Sequence, residues 1–434
     1  MSNKVRVRFC PSPTGDPHVG MVRTALFNWA FTRHHNGTFV FRIEDTDAAR
    51  DSEESYKALI DSMKWLGLNW DEGPEVGGPN GPYLQSERLH IYREWAEKFL
   101  ASGAAYHCYC SAEELEAERE RQRQANVAPG YGGTCRNLSA EQIDLYKSEG
   151  RKPVVRMRMD DGSTTFVDEI RGEVSFDHKY VPDFVLMRAD GSPLYTLAVA
   201  VDDVMMKVTH VLRGEDLLSS TPRQIQVYKA MGLKPDEYPT FAHLPFVMGQ
   251  DNAKLSKRNG EVSIAWYREQ GFLPEAICNY LALLGWSPGD DREDISMKEL
   301  VELFEVHDVH SSPARFDMKK LEAINGDKIR ALSPEEFLKW SLPFLTNAGI
   351  ITGTDAELTL VKLALPIIQE RIVKLDEIPA MLKFLFVKKF AVEADSKEKI
   401  KDDQSKQVLK RALEVLEPLS SWNHEAIEGA LRAA

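Results

Sequence analysis

The opening forty-four residues constrain the fold of this chain more than any other stretch. Val5 to Phe9 alternates in the manner of a strand, and Thr38-Phe39-Val40-Phe41-Arg42-Ile43-Glu44 is a second β-rich run after a break at Gly37. Between them Ala25, Leu26, Trp29 and Ala30 recur at helical spacing, which is the periodicity of an amphipathic helix. A strand, a helix and a second strand in that order build a parallel sheet. The turn formers of Pro13-Thr14-Gly15-Asp16-Pro17-His18-Val19-Gly20 separate strand from helix, so His18 and Gly20 fall where the helix begins.

Further along, Ser52 to Leu68 reads as a helix capped by Ser52, and Glu87 to Ala101 as another after a turn-rich stretch. Cys108-Tyr109-Cys110 precedes a highly charged helix, Ala112 to Gln124, which ends near Pro129-Gly130. Short β-like runs follow at Val154 to Met159, Thr164 to Val167 and Phe184 to Arg188. Tyr195 to Val201 and Val208 to Arg213 read as fully buried strands, and Thr221-Pro222 opens a helix with proline in its first turn. After about residue 320 the pattern is helical: from Pro334, Leu358 to Ile368, Pro379 to Phe390 and Ser405 to Leu416.

The expected fold class is α/β: a Rossmann-like parallel-sheet catalytic domain with an inserted α+β domain, then an all-helical C-terminal region. In residues this gives 1–87 and 192–240 as the two parts of the sheet domain and 88–191 as the insertion. Residues 241–330 form a junction module, and 331–434 the helical region. A chain of 434 residues has room for about three such domains.

A helix N-terminus offers unpaired N–H groups and a partial positive charge, and so favours phosphate. An imidazole at His18 can donate to a phosphoryl oxygen, and Gly20 removes a side chain where a nucleotide must come close. A basic loop far downstream, Lys254-Leu255-Ser256-Lys257-Arg258, supplies two ammonium groups for the opposite side of a triphosphate. Such a clamp suits chemistry dominated by positioning and electrostatics. The net charge of −13 argues weakly against a protein coated in nucleic acid, since binding depends on where cations sit. The lysines bunched from Lys388 to Arg411 could be a solvated face or a nucleic-acid contact. No apolar stretch nears the roughly 18 residues of a membrane span. The N-terminus shows neither signal nor transit pattern, so a cytoplasmic protein is expected. Five cysteines do not suggest a disulfide framework.

These two signals resemble the His-x-Gly-His-like motif and the Lys-Met-Ser-Lys-Ser-like loop of class I aminoacyl-tRNA synthetases. Pro11 to Gly20, Arg42-Ile43-Glu44-Asp45-Thr46-Asp47, Trp65-Leu66-Gly67-Leu68, Gly81 to Arg88 and His210 to Asp216 resemble bacterial-type glutamyl-tRNA synthetases in particular. The likeness covers essentially the whole chain. It implies activation of L-glutamate by ATP with Mg²⁺ to a glutamyl-adenylate, then transfer to the terminal adenosine of tRNA(Glu). It implies His18, Lys254 and Lys257 as catalytic groups, with Gly20 and Ser256 beside them at ATP. It also implies Arg8, Ser12, Glu44, Tyr195 and Arg213 around the glutamate, where a guanidinium fork is the best partner for a carboxylate. Asp202-Asp203, expected at a strand end facing ligand, receives no chemical role, and Cys10 and Cys278 read as core residues.

Cys108-x-Cys110 with Tyr131-x-x-x-Cys135 resembles a zinc pattern of some members, three thiolates being a strong start on a tetrahedral site. A histidine ligand of some relatives is replaced by Asn137, leaving Tyr131 as the fourth candidate. Use of tRNA(Gln) as well as tRNA(Glu) stays open: Lys383 stands where an arginine is associated with stricter reading, and lysine lacks the planar fork. In the family the last helical subdomain continues for some tens of residues, whereas this sequence stops at Ala434, as a truncated chain or a shortened variant. A monomer is expected. A nucleotidylyltransferase or the stand-alone paralogue that glutamylates a modified tRNA base would lack residues 330–434. A non-catalytic tRNA-binding derivative would be expected to lose His18, Lys254 or Lys257, all of which are present.

Overall fold

The structure is a computed structural model that describes residues 4–47, 51–127, 130–249, 255, 263–387 and 394–434. It divides into two compact units, Met1–Phe337 with Gln369–Asp376, and Leu338–Ile368 with Glu377–Ala434.

The first unit starts as β1 (Arg6–Phe9), α1 (Val19–His34), β2 (Thr38–Phe41) and α2 (Glu53–Trp65). β1 and β2 are parallel, with Arg6 opposite Thr38 and Phe9 opposite Phe41. α1 is buried on most sides, with Ala25, Leu26, Phe27 and Ala30 fully enclosed. It therefore crosses between the two strands as a core helix. Gly37 makes the return to β2 possible, because a Cβ there would lie 2.5 Å from the Val5 carbonyl oxygen. Ser52 caps α2 by accepting from the Ser55 N–H.

The chain continues as α3 (Leu89–Ser102), β3 (Ala105–Cys108), α4 (Ala112–Gln124), α5 (Ala140–Ser148), β4 (Val154–Met157), β5 (Ser163–Asp168), β6 (Gly172–Asp177) and β7 (Phe184–Met187). α4 and α5 bury no side chain. Each is started by a capping box, Ser111 with Glu114 and Ser139 with Gln142, which satisfies orphan N–H groups at the helix start. β3, β4 and β7 form their own antiparallel sheet. The β5–β6 hairpin departs from the expected separation of residues 88–191 from the main sheet. It leaves its neighbours in sequence and joins the main sheet, with Asp168 pairing Phe241 in parallel.

Next come α6 (Tyr195–Met205), β8 (His210–Gly214), α7 (Thr221–Ala230), β9 (Thr240–Leu244), β10 (Val247–Met248), α8 (Ile264–Glu269), α9 (Pro274–Leu283), α10 (Met297–Leu303), β11 (Ala314–Arg315) and α11 (Met318–Ala331). The main sheet has the order β2-β1-β8-β9-β5-β6. The chain winds from β1 outward to β2, then returns to place β8 on the other side of β1. The carboxyl ends of β1 and β8 thus flank a topological switch point, the crevice where open α/β sheets bind ligands.

The expectation of a strand at Tyr195 to Val201 is corrected here: these residues open α6, and Asp202 and Asp203 continue the same helix. An uninterrupted apolar run does not distinguish a buried strand from a buried helix. Length decides it, because the helix continues for eleven residues to Met205.

The second unit takes in most of α12 (Pro334–Asn347) and α13 (Asp355–Gln369), then α14 (Ile378–Leu382), α15 (Ala394–Lys399), α16 (Asp403–Leu416) and α17 (His424–Ala433). Asp402 caps α16 and Asn423 caps α17 through their side-chain oxygens, and these two helices pack on each other. The helix expected over Pro379 to Phe390 is shorter than its periodicity suggested: α14 ends at Leu382 and a single tighter turn, Lys383–Leu385, follows. No helix among the described residues is long and apolar enough to cross a membrane.

Candidate active site

At the switch point lies a cavity of about 410 Å³. Its walls come from the loop after β1, the first turns of α1, the carboxyl ends of β8 and β9, and the start of α6. Arg8, Ser12, His18, Gly20, Glu44, Tyr195 and Arg213 all line it. One residue read from sequence as core also belongs there: Cys10 lines the cavity, and burial pushes its thiol up to about 12. Cys278 is buried as expected. Leu255 reaches the cavity wall, and its N–H donates to the Val247 carbonyl at 3.0 Å. Lys254, Ser256 and Lys257 lie outside the described residues.

His18 is the N-cap of α1, and its Nδ1 accepts from the Met21 N–H at 3.3 Å. A ring whose Nδ1 accepts carries its proton on Nε2 when neutral, so the cap selects the tautomer in which Nε2 is the donor nitrogen. A Cβ on Gly20 would stand 3.4 Å from that Nδ1, an ordinary contact. His18 therefore does not demand the glycine; its absent side chain enlarges the cavity.

The floor is a buried charge lattice that explains α6. The Asp203 carboxylate accepts from Arg8 Nε at 3.1 Å and from Arg42 Nη1 at 2.8 Å. The Asp202 carboxylate accepts from Arg88 Nε at 2.7 Å, Gln85 Nε2 at 2.9 Å and the Tyr92 hydroxyl at 2.7 Å. Arg42 Nη2 reaches Glu44 Oε1 at 3.3 Å. Three guanidinium groups thus meet three carboxylates, which lets charges be buried that would be prohibitive alone. The two aspartates, expected in a ligand-facing loop, are instead fully buried anchors. They fix the arginines from behind.

The lattice leaves an unsatisfied donor on Arg8, which lines the cavity. Arg8 Nη2 is buried with no hydrogen-bond partner, which is costly unless a ligand completes it. Glu44 is pushed above its ordinary range by burial, against the pull of Arg42 and Arg8. A ligand cation at Glu44 and a ligand anion at Arg8 would relieve both.

On the opposite wall Arg213 is held on several sides. Its Nε donates to His243 Nε2 at 3.0 Å and its Nη1 to Gln224 Oε1 at 2.8 Å. Its Nη2 donates to the Leu217 carbonyl at 3.2 Å and to Thr221 Oγ1 at 2.9 Å. Neither Gln224, Thr221 nor His243 was legible as part of a site, because each is a single polar residue with no motif around it, Thr221 being read only as the start of a helix.

A second group forms in the segment containing β3. The Sγ atoms of Cys108, Cys110 and Cys135 lie within 4.8 Å of one another. Cys110 and Cys135 are 3.4 Å apart, and the Tyr131 hydroxyl is 3.4 Å from Cys108 Sγ. Zinc–thiolate bonds of about 2.3 Å at a tetrahedral centre separate sulfurs by roughly 3.8 Å, so the donors suit a zinc ion in both chemistry and spacing. Asn137 accepts from Arg158 Nη1 at 3.4 Å.

Residues 4–323 match the catalytic domain of class I tRNA synthetases for glutamate and glutamine, and residues 336–434 match an anticodon-binding domain. The sequence is 53% identical to a glutamate–tRNA ligase of Nocardioides sp., over 99% of this chain and 88% of that one. It is 52% identical to the glutamate–tRNA ligase of Streptomyces coelicolor, with the same two coverages. Among solved structures, a glutamate tRNA ligase from Elizabethkingia meningosepticum in complex with its amino acid superposes with a TM-score of 0.87. That protein is 33% identical, over 99% of this chain and 89% of the other.

Proposed function

The chain belongs to the class I synthetases for glutamate and glutamine, as a glutamate–tRNA ligase that joins L-glutamate to tRNA(Glu) at the expense of ATP, and on that premise we propose how its residues divide the work. The observation that supports the assignment of roles is the cavity itself, where an unpartnered guanidinium nitrogen of Arg8, the buried Glu44 carboxylate and the pinned Arg213 face one space.

The substrate's ammonium binds the Glu44 carboxylate, while Ser12 and Tyr195 complete the wall around the amino acid. The side-chain carboxylate lies between Arg8 Nη2 and the remaining N–H of Arg213. ATP, entering with Mg²⁺, lays its phosphates against the start of α1. There His18 donates from Nε2 as negative charge grows on the α-phosphate, and Gly20 leaves room for the nucleotide. Lys254, Ser256 and Lys257 supply the remaining contacts to the phosphates. The α-carboxylate of glutamate attacks the α-phosphorus and pyrophosphate leaves, with no protein nucleophile involved. The protein contributes donors already in place where charge develops.

Substituting Arg213→Ala is expected to raise the glutamate KM roughly 10²-fold, the scale of a lost charge-assisted hydrogen bond with buried partners left unpaired. The ATP KM should change little. Steady-state charging assays at varied glutamate check this, and an unchanged glutamate dependence would reject the assignment.

Cys108, Cys110 and Cys135, with Tyr131 as the fourth donor, are proposed to hold a structural zinc that fixes the segment between β3 and β4 and takes no part in the reaction. Protein purified without chelator should contain stoichiometric zinc by elemental analysis, and Cys110→Ser should lose it; a metal-free chain would leave the residues as reduced thiols. We also assign residues 88–191 outside the hairpin to the acceptor end of the tRNA, 241–330 to its stem and 331–434 to its anticodon. Work in the cytoplasm as a monomer belongs to the same reading. Exposed Lys383, in the turn after α14, fits relaxed anticodon reading, and charging of tRNA(Gln) tests it.

A further inference from the structure

We propose that Asp168 and His243 are positioning residues for glutamate, a relay that carries orientation from the β5–β6 hairpin through β9 to the Arg213 guanidinium. The proposal rests on Arg213 being the arginine that receives the substrate carboxylate. It adds two residues that do not line the cavity and that touch no substrate.

The chain of contacts is short and wholly buried. His243 and Asp168 have side chains fully shielded from solvent. His243 Nδ1 lies 2.6 Å from Asp168 Oδ2, and Arg213 Nε donates to His243 Nε2 at 3.0 Å. The two contacts leave one consistent protonation. An arginine Nε can only donate, so His243 Nε2 must present its lone pair. The single imidazole proton then sits on Nδ1 and is donated to Asp168. Burial lowers the proton affinity of His243 against the pull of Asp168, in keeping with a neutral ring.

Asp168 is in turn fixed on its other oxygen. Oδ1 accepts from the backbone N–H groups of Ile170 at 3.1 Å, Arg171 at 3.0 Å and His243 at 3.3 Å. The carboxylate is thus locked by the turn of the hairpin and cannot rotate to offer a different face. Arg171 of the same turn donates to the His243 carbonyl at 3.3 Å and pairs with Glu215, whose Oε1 accepts from the Phe246 N–H at 2.6 Å.

The donor count of Arg213 shows what the relay achieves. Of the five N–H groups of a guanidinium, one goes to His243, one to Gln224, one to Leu217 and one to Thr221. A single N–H on Nη1 remains for a ligand. With so little left over, affinity depends on the plane of the guanidinium, and Nε is the atom that sets the plane's tilt. An acceptor at His243 Nε2 holds that tilt; a donor there would repel Nε–H and rotate the fork. The β5–β6 hairpin joining the main sheet therefore has a functional reading: it delivers the carboxylate that selects the tautomer.

Asp168→Asn is the sharpest test. Its carbonyl oxygen can keep the three backbone N–H groups, which turns the amide nitrogen, a donor, towards His243 Nδ1. The ring must then shift its proton to Nε2, facing Arg213 Nε–H. An isosteric change two residues removed from the substrate is expected to raise the glutamate KM roughly tenfold to a hundredfold, with the ATP KM within about twofold of wild type on the same scale. His243→Gln, whose Oε1 can stand near the Nε2 position as an acceptor, should retain more glutamate affinity than His243→Asn, which cannot reach Arg213. Nitrogen-15 spectra of labelled imidazole should report an unprotonated Nε2 at His243 in the native chain and a protonated one in Asp168→Asn.

A merely structural pair would behave differently: all three variants would lower thermal stability while leaving the ratio of the two KM values unchanged, and that result would overturn the relay. Equal loss in His243→Gln and His243→Asn would also overturn it. If Arg213→Ala leaves glutamate dependence unchanged, the earlier assignment of Arg213 fails, whatever the relay does. A large effect of Arg213→Ala with none from Asp168→Asn defeats the relay alone.

Discussion

Lys257→Ala is expected to slow glutamate- and tRNA-dependent pyrophosphate exchange by about 10²–10³-fold, the loss typical of removing one preorganised donor from a developing anion. The fold should be untouched. The reaction has no covalent step for the protein to share, so most of its acceleration must come from groups aimed at the phosphates. His18 supplies one such group from the start of α1, where its Nδ1 accepts from the Met21 N–H. The other must come from across the nucleotide, where Leu255 reaches the cavity wall and Lys254 and Lys257 flank it in sequence. Glutamate KM should stay near the wild-type value, because the ammonium of Lys257 interacts with the transition state and not with the amino acid. Near-normal exchange in this variant would remove the phosphate clamp.

The second large effect concerns stability. Asp203→Asn should cost about 3–5 kcal/mol of unfolding free energy, the range seen when one partner of a buried ion pair is removed. Asp203 is fully buried, and both Arg8 and Arg42 donate to it. Without its charge two guanidinium groups face each other in the interior. The pH dependence has the same origin. Burial alone would push the Asp203 carboxyl up, but Arg8 and Arg42 outweigh it and hold it below its ordinary value. The folded-state value is therefore depressed. Its stabilisation is fully present above the ordinary aspartate value and is lost as pH falls through the depressed one. Urea unfolding of wild type and variant checks this, and a loss under about 1 kcal/mol, the scale of an exposed pair, would contradict it.

Much of the fold was legible because it is written locally. Proline, glycine and the 3.6-residue period mark β1, α1 and β2, and Ser52 announces its helix by position alone. His18 was readable at its cap, but Arg8, Glu44 and Arg213 were expected at the site only through the family resemblance, because a charged residue at a strand end has no local mark that separates a pocket wall from a solvated edge. α6 was misread because Tyr195 to Val201 is apolar on every side, so neither period shows. Its two aspartates then looked like loop carboxylates, whereas they balance arginines more than a hundred residues away in sequence. The pairing of β5 with β9 is another long-range event with no local mark, and with it Asp168 and His243 remained invisible. Cys10 was read as core because a lone cysteine at the end of a β-rich run carries no mark of a pocket; that it lines the cavity is visible only in the folded chain.

The measurement that bears most directly on the whole account is attachment of labelled glutamate to purified tRNA(Glu) by this 434-residue chain, with ATP and Mg²⁺, run beside Arg213→Ala. The account predicts that the native chain charges the tRNA and that the variant does so only at far higher glutamate. Binding of tRNA without charging, or charging indifferent to Arg213, would contradict it.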